Sequence, residues 1–147
     1  MQQAKAILAN TALLNALQLL VHQAGEAIMQ VYHTDDFGIE TKKDDSPVTK
    51  ADLDAHYLLI DGLAKLTPNI AIVSEEDPAS QAVPQEHNCY WLIDPLDGTK
   101  EFINRNGQFT VNLALIENNI PSFGLVSTPI DQTLYWGGQH LGAWRLR

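Results

Sequence analysis

The hydrophobic period of this chain changes once, near residue 70, and that change limits what it can fold into. Before it, Leu13, Leu14, Leu17, Leu20, Val21, Ala24, Ile28 and Val31 recur at three- and four-residue steps. That spacing predicts one long amphipathic helix over 11–32. A short strand is expected at 38–41, followed by turn chemistry in "KDDSP". A second helix starts near Val48, where Thr49 and Asp52 have capping-box spacing with Asp in the place of Glu or Gln. Its apolar stripe reads Leu53, Tyr57, Ile60 and Leu63, with Gly62 inside it at a cost of ~1 kcal/mol relative to Ala. After residue 70 the runs are short and β-like: "IAIVSEE", "CYWLID", "FTVNLALIEN", "IPSFGLVSTPI", "TLYW" and "LGAWRL". "NNIP" predicts a hairpin turn, and residues 77–88, polar with two prolines, predict a loop. Two helices followed by consecutive strands imply an α+β fold. The expected architecture is two N-terminal helices packed on one face of a mainly antiparallel sheet.

Composition bounds the function classes. The chain has 147 residues, 45% hydrophobic and 18% charged, as expected of one globular domain with a core. Net charge is −9, which repels nucleic acid and anionic membranes. It also repels a phosphate substrate unless some carboxylates hold divalent cations. No apolar run reaches the ~18 residues of a membrane helix, and no signal peptide is evident. The single cysteine, Cys89, allows no intrachain disulfide and reads as an ordinary buried residue; that usage fits a reducing, cytoplasmic setting. The five histidines lack metal-ligand spacing.

Three acidic features stand where the chain leaves regular structure. Asp52 lies in the first turn of the second helix, Glu75 and Glu76 end one strand, and Asp94 and Asp97 bracket Pro95 at the end of another. Mg²⁺ and similar hard cations take oxygen ligands from carboxylates and backbone carbonyls. "DPLD" can turn two carboxylates and the Leu96 carbonyl toward one point. Gly98 and Thr99 then open a helix whose unpaired N–H groups favour an anion. Metals on one side and phosphate on the other is the chemistry of metal-assisted phosphoester hydrolysis. Thr99 paired with Asp52 would orient the attacking water and accept its proton. Lys100 stands next to the expected anion pocket. Each feature also has a plain structural reading, as a helix-dipole partner, a solvated turn or an N-cap.

"SPVTKAD" at 46–52, "IVSEE" at 72–76 and "WLIDPLDGT" at 91–99 together resemble the motif set of the inositol monophosphatase superfamily, Mg²⁺-dependent, lithium-sensitive phosphatases. "DGTKEF" and its continuation are more similar to the branch of CysQ-type 3′(2′),5′-bisphosphate nucleotidases. The resemblance implies metal ligands at Glu75, Asp94, Asp97 and the Leu96 carbonyl, two or three Mg²⁺ ions, and water activation by Asp52 and Thr99. It implies phosphate or substrate contacts from Gly98, Thr99 and Glu75, with Glu76 and Lys100 behind them. The implied reaction converts adenosine 3′,5′-bisphosphate, or its sulfated form, to the nucleoside 5′-monophosphate and phosphate.

Alternatives are an inositol- or sugar-phosphate phosphatase of the same superfamily, or a non-catalytic metal-binding module. The implied partner is a small nucleotide bisphosphate, with no nucleic acid and no transmembrane segment. Homodimer formation and peripheral attachment to the inner membrane stay open. Family members carry a further α/β domain with a W-D-x-A-A-like motif that this chain lacks. It is therefore expected to be the N-terminal metal-binding domain, with weak metal binding and little turnover in isolation.

Overall fold

A computed structural model describes residues 2–81 and 88–147. Helix α1 (Gln2–Ala9) leads into α2 (Thr11–Tyr32), with Asn10 between them accepting the Leu13 amide through its side chain as an N-cap. Strands β1 (Glu40–Thr41) and β2 (Pro47–Val48) pair as a small hairpin. Helix α3 spans Lys50–Leu66. Then come β3 (Ala71–Ser74), a 3₁₀ turn (Pro78–Gln81), β4 (Cys89–Asp97) and the short α4 (Thr99–Ile103). The chain continues through β5 (Thr110–Glu117), β6 (Ile120–Thr128), β7 (Thr133–Gly138) and β8 (Gly142–Leu146). Strands β3 to β8 form one sheet in sequence order. Part of the expected loop at 77–88 lies outside the described residues.

The architecture is α+β, with helices on a mixed sheet. Strand β3 runs parallel to β4, whereas every later pair is antiparallel. Alternate residues Trp91, Ile93, Val111, Leu113, Leu115, Phe123 and Leu125 bury one sheet face against α2 and α3. The β5–β6 turn is at Asn118–Asn119, both with positive φ (52° and 66°), the geometry of a two-residue hairpin.

Four expectations are corrected. Helix α1 was not foreseen, because eight residues show too little periodicity. Helix α3 begins at Lys50 rather than near Val48, which lies in β2. Its buried face is Ala51, Asp52, Ala55, His56, Leu59 and Leu63, so Leu53 and Ile60 are only half-buried and Tyr57 is 66% exposed. Finally, β4 does not stop at Asp94 but runs through Pro95 to Asp97. Gly62 has a packing reason: a Cβ there would lie 2.3 Å from Leu20 Cδ1, so its absence lets α2 and α3 cross closely. No single helix among the described residues is long and apolar enough to cross a membrane.

Candidate active site

The parallel β3–β4 pair decides where the acidic residues meet. In register, Ser74 stands beside Ile93, so both strands leave the sheet at one end. Glu75 continues the pairing through its amide, 3.1 Å from the Ile93 carbonyl. An antiparallel pair would have sent Glu75–Glu76 and Asp94–Asp97 to opposite ends. Carboxyl ends of neighbouring parallel strands are a common place for sites in α/β sheets, and here that geometry gathers the two acidic pairs.

A second device aims the aspartates. In a regular strand, residues three apart face opposite sides. Here Asp94 pairs with Asn112 and Asp97 with Thr110, so β4 spends three steps where β5 spends two. The extra residue is a β-bulge, and it returns Asp97 to the face of Asp94. Proline suits this place, because a bulge leaves a residue without a ladder partner and Pro95 has no N–H to lose. Pro95 and Leu96 turn inward and are buried, while the Asn112 side-chain amide donates to Asp97 Oδ2 at 3.1 Å.

The third device is the start of α3. Thr49 is its N-cap, and Asp52 completes a reciprocal capping box. Asp52 Oδ2 accepts from the Thr49 amide at 2.8 Å and the Thr49 hydroxyl at 2.6 Å. The other oxygen, Oδ1, accepts from the Thr99 hydroxyl at 2.8 Å. The Leu96 carbonyl lies 3.4 Å from that hydroxyl, a longer alternative partner. Asp52 and Thr49 are fully buried, and Thr99 is half-buried. Gly98 turns the chain from β4 into α4 with φ +94°, and a Cβ there would meet the Gln108 carbonyl at 2.8 Å. Glycine is needed on both counts.

The electrostatics follow from this crowding. Burial, then the charges of Asp97, Glu75, Glu76 and Asp52, push the Asp94 carboxyl up to about 7. Burial also raises Glu76, partly offset by Lys42, whose Nζ lies 3.6 Å from Glu76 Oε2. Among the described residues, Lys42 is therefore the lysine that pairs with the acidic group. Lys100 is exposed, and no ion pair involves it among the described residues. Cys89 is half-buried and its thiol is pushed up, first by burial, so it stays protonated.

Five carboxylates thus act on one another's charge, yet they do not close into a ready-made cage. Among the described residues no three His, Cys, Asp or Glu side chains come together as a metal-binding group. Mutual repulsion keeps like charges apart. The donor set still fits a hard divalent cation: it is all oxygen, it sits at one end of the sheet, and burial together with the neighbouring negative charges already suppresses ionisation at Asp94.

Residues that sequence reasoning passed over also belong here. Ser74 is buried at the end of β3, and His56 lies one turn after Asp52 on the inward face of α3. The signal available for His56 was its i, i+4 spacing from Asp52. Asn112 had no signal beyond its place in an alternating strand.

Comparison with known proteins places this geometry. Residues 9–146 match the inositol monophosphatase family. The chain belongs to that family. It is 51% identical over 121 residues to the 3′(2′),5′-bisphosphate nucleotidase CysQ of Salmonella typhimurium, covering 82% of this chain and 49% of that protein. Against the CysQ of Escherichia coli K12 the identity is 52% over 117 residues, 79% of this chain and 48% of the relative. The chain therefore spans about half the length of the curated relatives it matches. A crystal structure of CysQ from Bacteroides thetaiotaomicron, described as a bacterial member of the inositol monophosphatase family, superposes with a TM-score of 0.74 at 38% identity. It covers 90% of this chain and 48% of that one. The suhB protein of Bartonella henselae gives a TM-score of 0.78 at 24% identity, covering 92% of this chain and 51% of that one, which speaks to the fold alone.

Proposed function

We propose that this chain carries the acidic, water-activating side of a divalent-cation-dependent phosphomonoesterase site, and that its substrate is a nucleoside 3′,5′-bisphosphate. The observation that carries the reading is the 2.8 Å contact from the Thr99 hydroxyl to Asp52 beside Asp94, Asp97, Glu75 and Glu76. The nucleotide preference rests on the CysQ relatives, whose name specifies that substrate.

Glu75, Asp94, Asp97 and the Leu96 carbonyl would hold Mg²⁺. When bound, such ions neutralise phosphate charge and lower the pKa of a coordinated water. Thr99 donates its hydroxyl hydrogen to Asp52 and so turns a lone pair outward, where it can accept a hydrogen bond from the attacking water. As the water's proton moves to Thr99 Oγ1, the hydroxyl proton moves to Asp52. Two Thr49 donors hold the opposite Asp52 oxygen still during that transfer. The Gly98 and Thr99 amides, in the first turn of α4, would bind the phosphate oxygens.

The test is phosphate release by this chain from adenosine 3′,5′-bisphosphate across a Mg²⁺ titration, with inositol 1-phosphate as the control. Release by this chain alone is expected to be weak, to need Mg²⁺, to prefer the nucleotide and to fall ~100-fold or more in Thr99→Ala. Release indifferent to Mg²⁺ or to Thr99 would refute the reading. Preference for inositol 1-phosphate would move the substrate assignment. Mg²⁺ binding without release would leave this chain the metal-binding role alone.

A further inference from the structure

Helix α3 touches the acidic group at two places, one turn apart. Asp52 reaches Thr99 directly. His56, four residues on and 7% exposed, reaches Ser74, with His56 Nδ1 2.8 Å from Ser74 Oγ. Ser74 is the last residue of β3 and closes the turn that carries Glu75 and Glu76. Its hydroxyl oxygen accepts the Glu76 amide at 3.3 Å, and its carbonyl accepts the Asp77 amide at 3.1 Å. On the other side of that turn, Ser80 Oγ accepts the Ser74 amide at 2.9 Å and donates to the Asp77 carbonyl at 2.7 Å.

The contact sequence is therefore short: α3, His56, Ser74, the Glu76 amide. We infer that His56 is a positioning residue for the acidic turn, fixing Glu75 and Glu76 relative to Asp52 by tying both to one helix. The inference rests on the reading of the site proposed above. A helix rises about 1.5 Å per residue and does not stretch, so the separation between the Asp52 and Ser74 contacts is set by rigid backbone. A buried histidine that only filled space would be replaceable by an apolar side chain of similar volume. This one spends a ring nitrogen on the hydroxyl that orients the next turn. Burial lowers its pKa, offset in part by Asp77, so the ring is neutral near neutral pH and the contact is an ordinary hydrogen bond. Exposed Tyr57 covers the ring edge-on, 5.0 Å between centroids.

The experiment uses the 147-residue chain with His56→Leu, His56→Asn and Ser74→Ala, and two readouts. The first, without metal, is amide hydrogen exchange at Glu76 and Asp77. Expected is about tenfold faster exchange in His56→Leu and Ser74→Ala. His56→Asn, which can place a polar atom near the Nδ1 position, should stay close to wild type. The second is Mn²⁺ affinity by titration calorimetry. Partners that orient ligands from behind are worth about 10- to 100-fold, so His56→Leu should weaken binding by that range and His56→Asn should restore most of it. Ser74→Ala removes the Glu76 amide's acceptor directly and marks the full effect; unchanged exchange at Glu76 in His56→Leu overturns the inference, as does equal loss in His56→Asn and His56→Leu. Should His56→Leu not fold, His56→Gln decides, because its polar atoms stand beyond the Nδ1 position: exchange at Glu76 as slow as in wild type overturns the inference. Wild-type chain that binds no Mn²⁺ would overturn the reading of the site, while the exchange data would still judge His56.

Discussion

Asp52 allows the cap and the proton acceptor to be separated by experiment, because its two oxygens serve different partners. In Asp52→Ala, the fully buried Thr49 amide and hydroxyl lose the oxygen they meet at 2.8 and 2.6 Å. A buried donor left without a partner costs about 1–3 kcal/mol, and two are left here, the loss of the Asp52 half of the capping box being that same cost. The Thr99 hydroxyl can turn to the Leu96 carbonyl and adds little. The expected destabilisation is about 3 kcal/mol. In Asp52→Asn the amide oxygen faces Thr49 and keeps both donors, while the amide nitrogen faces Thr99 and donates to it. Only the difference between charged and neutral acceptors is lost, about 1 kcal/mol. Thr99, however, now receives a hydrogen bond on the lone pair it would offer to water, and no carboxylate remains to take its proton. Both variants should therefore lose turnover by ~100-fold or more, while differing by about 2 kcal/mol in stability. Urea unfolding followed by tryptophan fluorescence reads the stability, and phosphate release reads the chemistry. Equal stability of the two variants would refute the capping argument. Turnover surviving in Asp52→Asn would refute the proton-acceptor argument.

Gly98→Ala should destabilise the chain by about 2–4 kcal/mol in thermal unfolding. The strain is a left-handed residue with a Cβ, about 1–2 kcal/mol, plus a carbon forced 2.8 Å from the Gln108 carbonyl; a loss under ~1 kcal/mol would contradict it. Glu117 gives a pH prediction away from the site. Its carboxylate accepts from the Gln3 and Ala4 amides and the Ser122 hydroxyl, fastening α1 to β5. Burial pushes its pKa up, but those donors outweigh burial and hold it below the ordinary 4.5. A lowered folded pKa means stability that is present above that ordinary value and lost as pH falls through the folded one. The stability gap between wild type and Glu117→Gln, measured in urea at about pH 7 and about pH 3, should shrink at the lower pH; a constant gap would show the carboxylate charge contributes nothing.

Much of the fold was legible because one periodicity was unopposed. Helix α2 occupies the expected 11–32, since its inward residues are apolar throughout and nothing polar competes for that face. The hairpin at Asn118–Asn119 was legible from turn chemistry alone. In α3 the period was right and the phase wrong by about one residue. The stripe reads Leu53, Tyr57, Ile60 and Leu63, of which Leu63 is buried, but the inward face also holds Asp52 and His56, which hydropathy assigns to solvent. The parallel pairing of β3 was not legible, because parallel neighbours usually betray themselves by a helical crossover and residues 75–88 carry no such pattern. Pro95 read as a strand terminator because its missing N–H breaks an ordinary ladder; at a bulge there is no bond to break.

These departures share one location. The shifted phase of α3, the parallel pair and the bulge in β4 all occur where carboxylates are brought together, whereas the register shift between β5 and β6 at Leu115–Ile116 lies toward the Asn118–Asn119 turn. A cluster of half-buried like charges opposes folding, since burial and then each neighbouring carboxylate raise the free energy of the next, as at Asp94. It can persist only where the surrounding chain over-determines it: a capped helix end, a strand continuing through the bulge with Leu96 buried, and a turn tied back to α3. Local rules that maximise stability would remove each of these features. Their joint presence at one end of one sheet is therefore an argument for function that does not depend on recognising any motif.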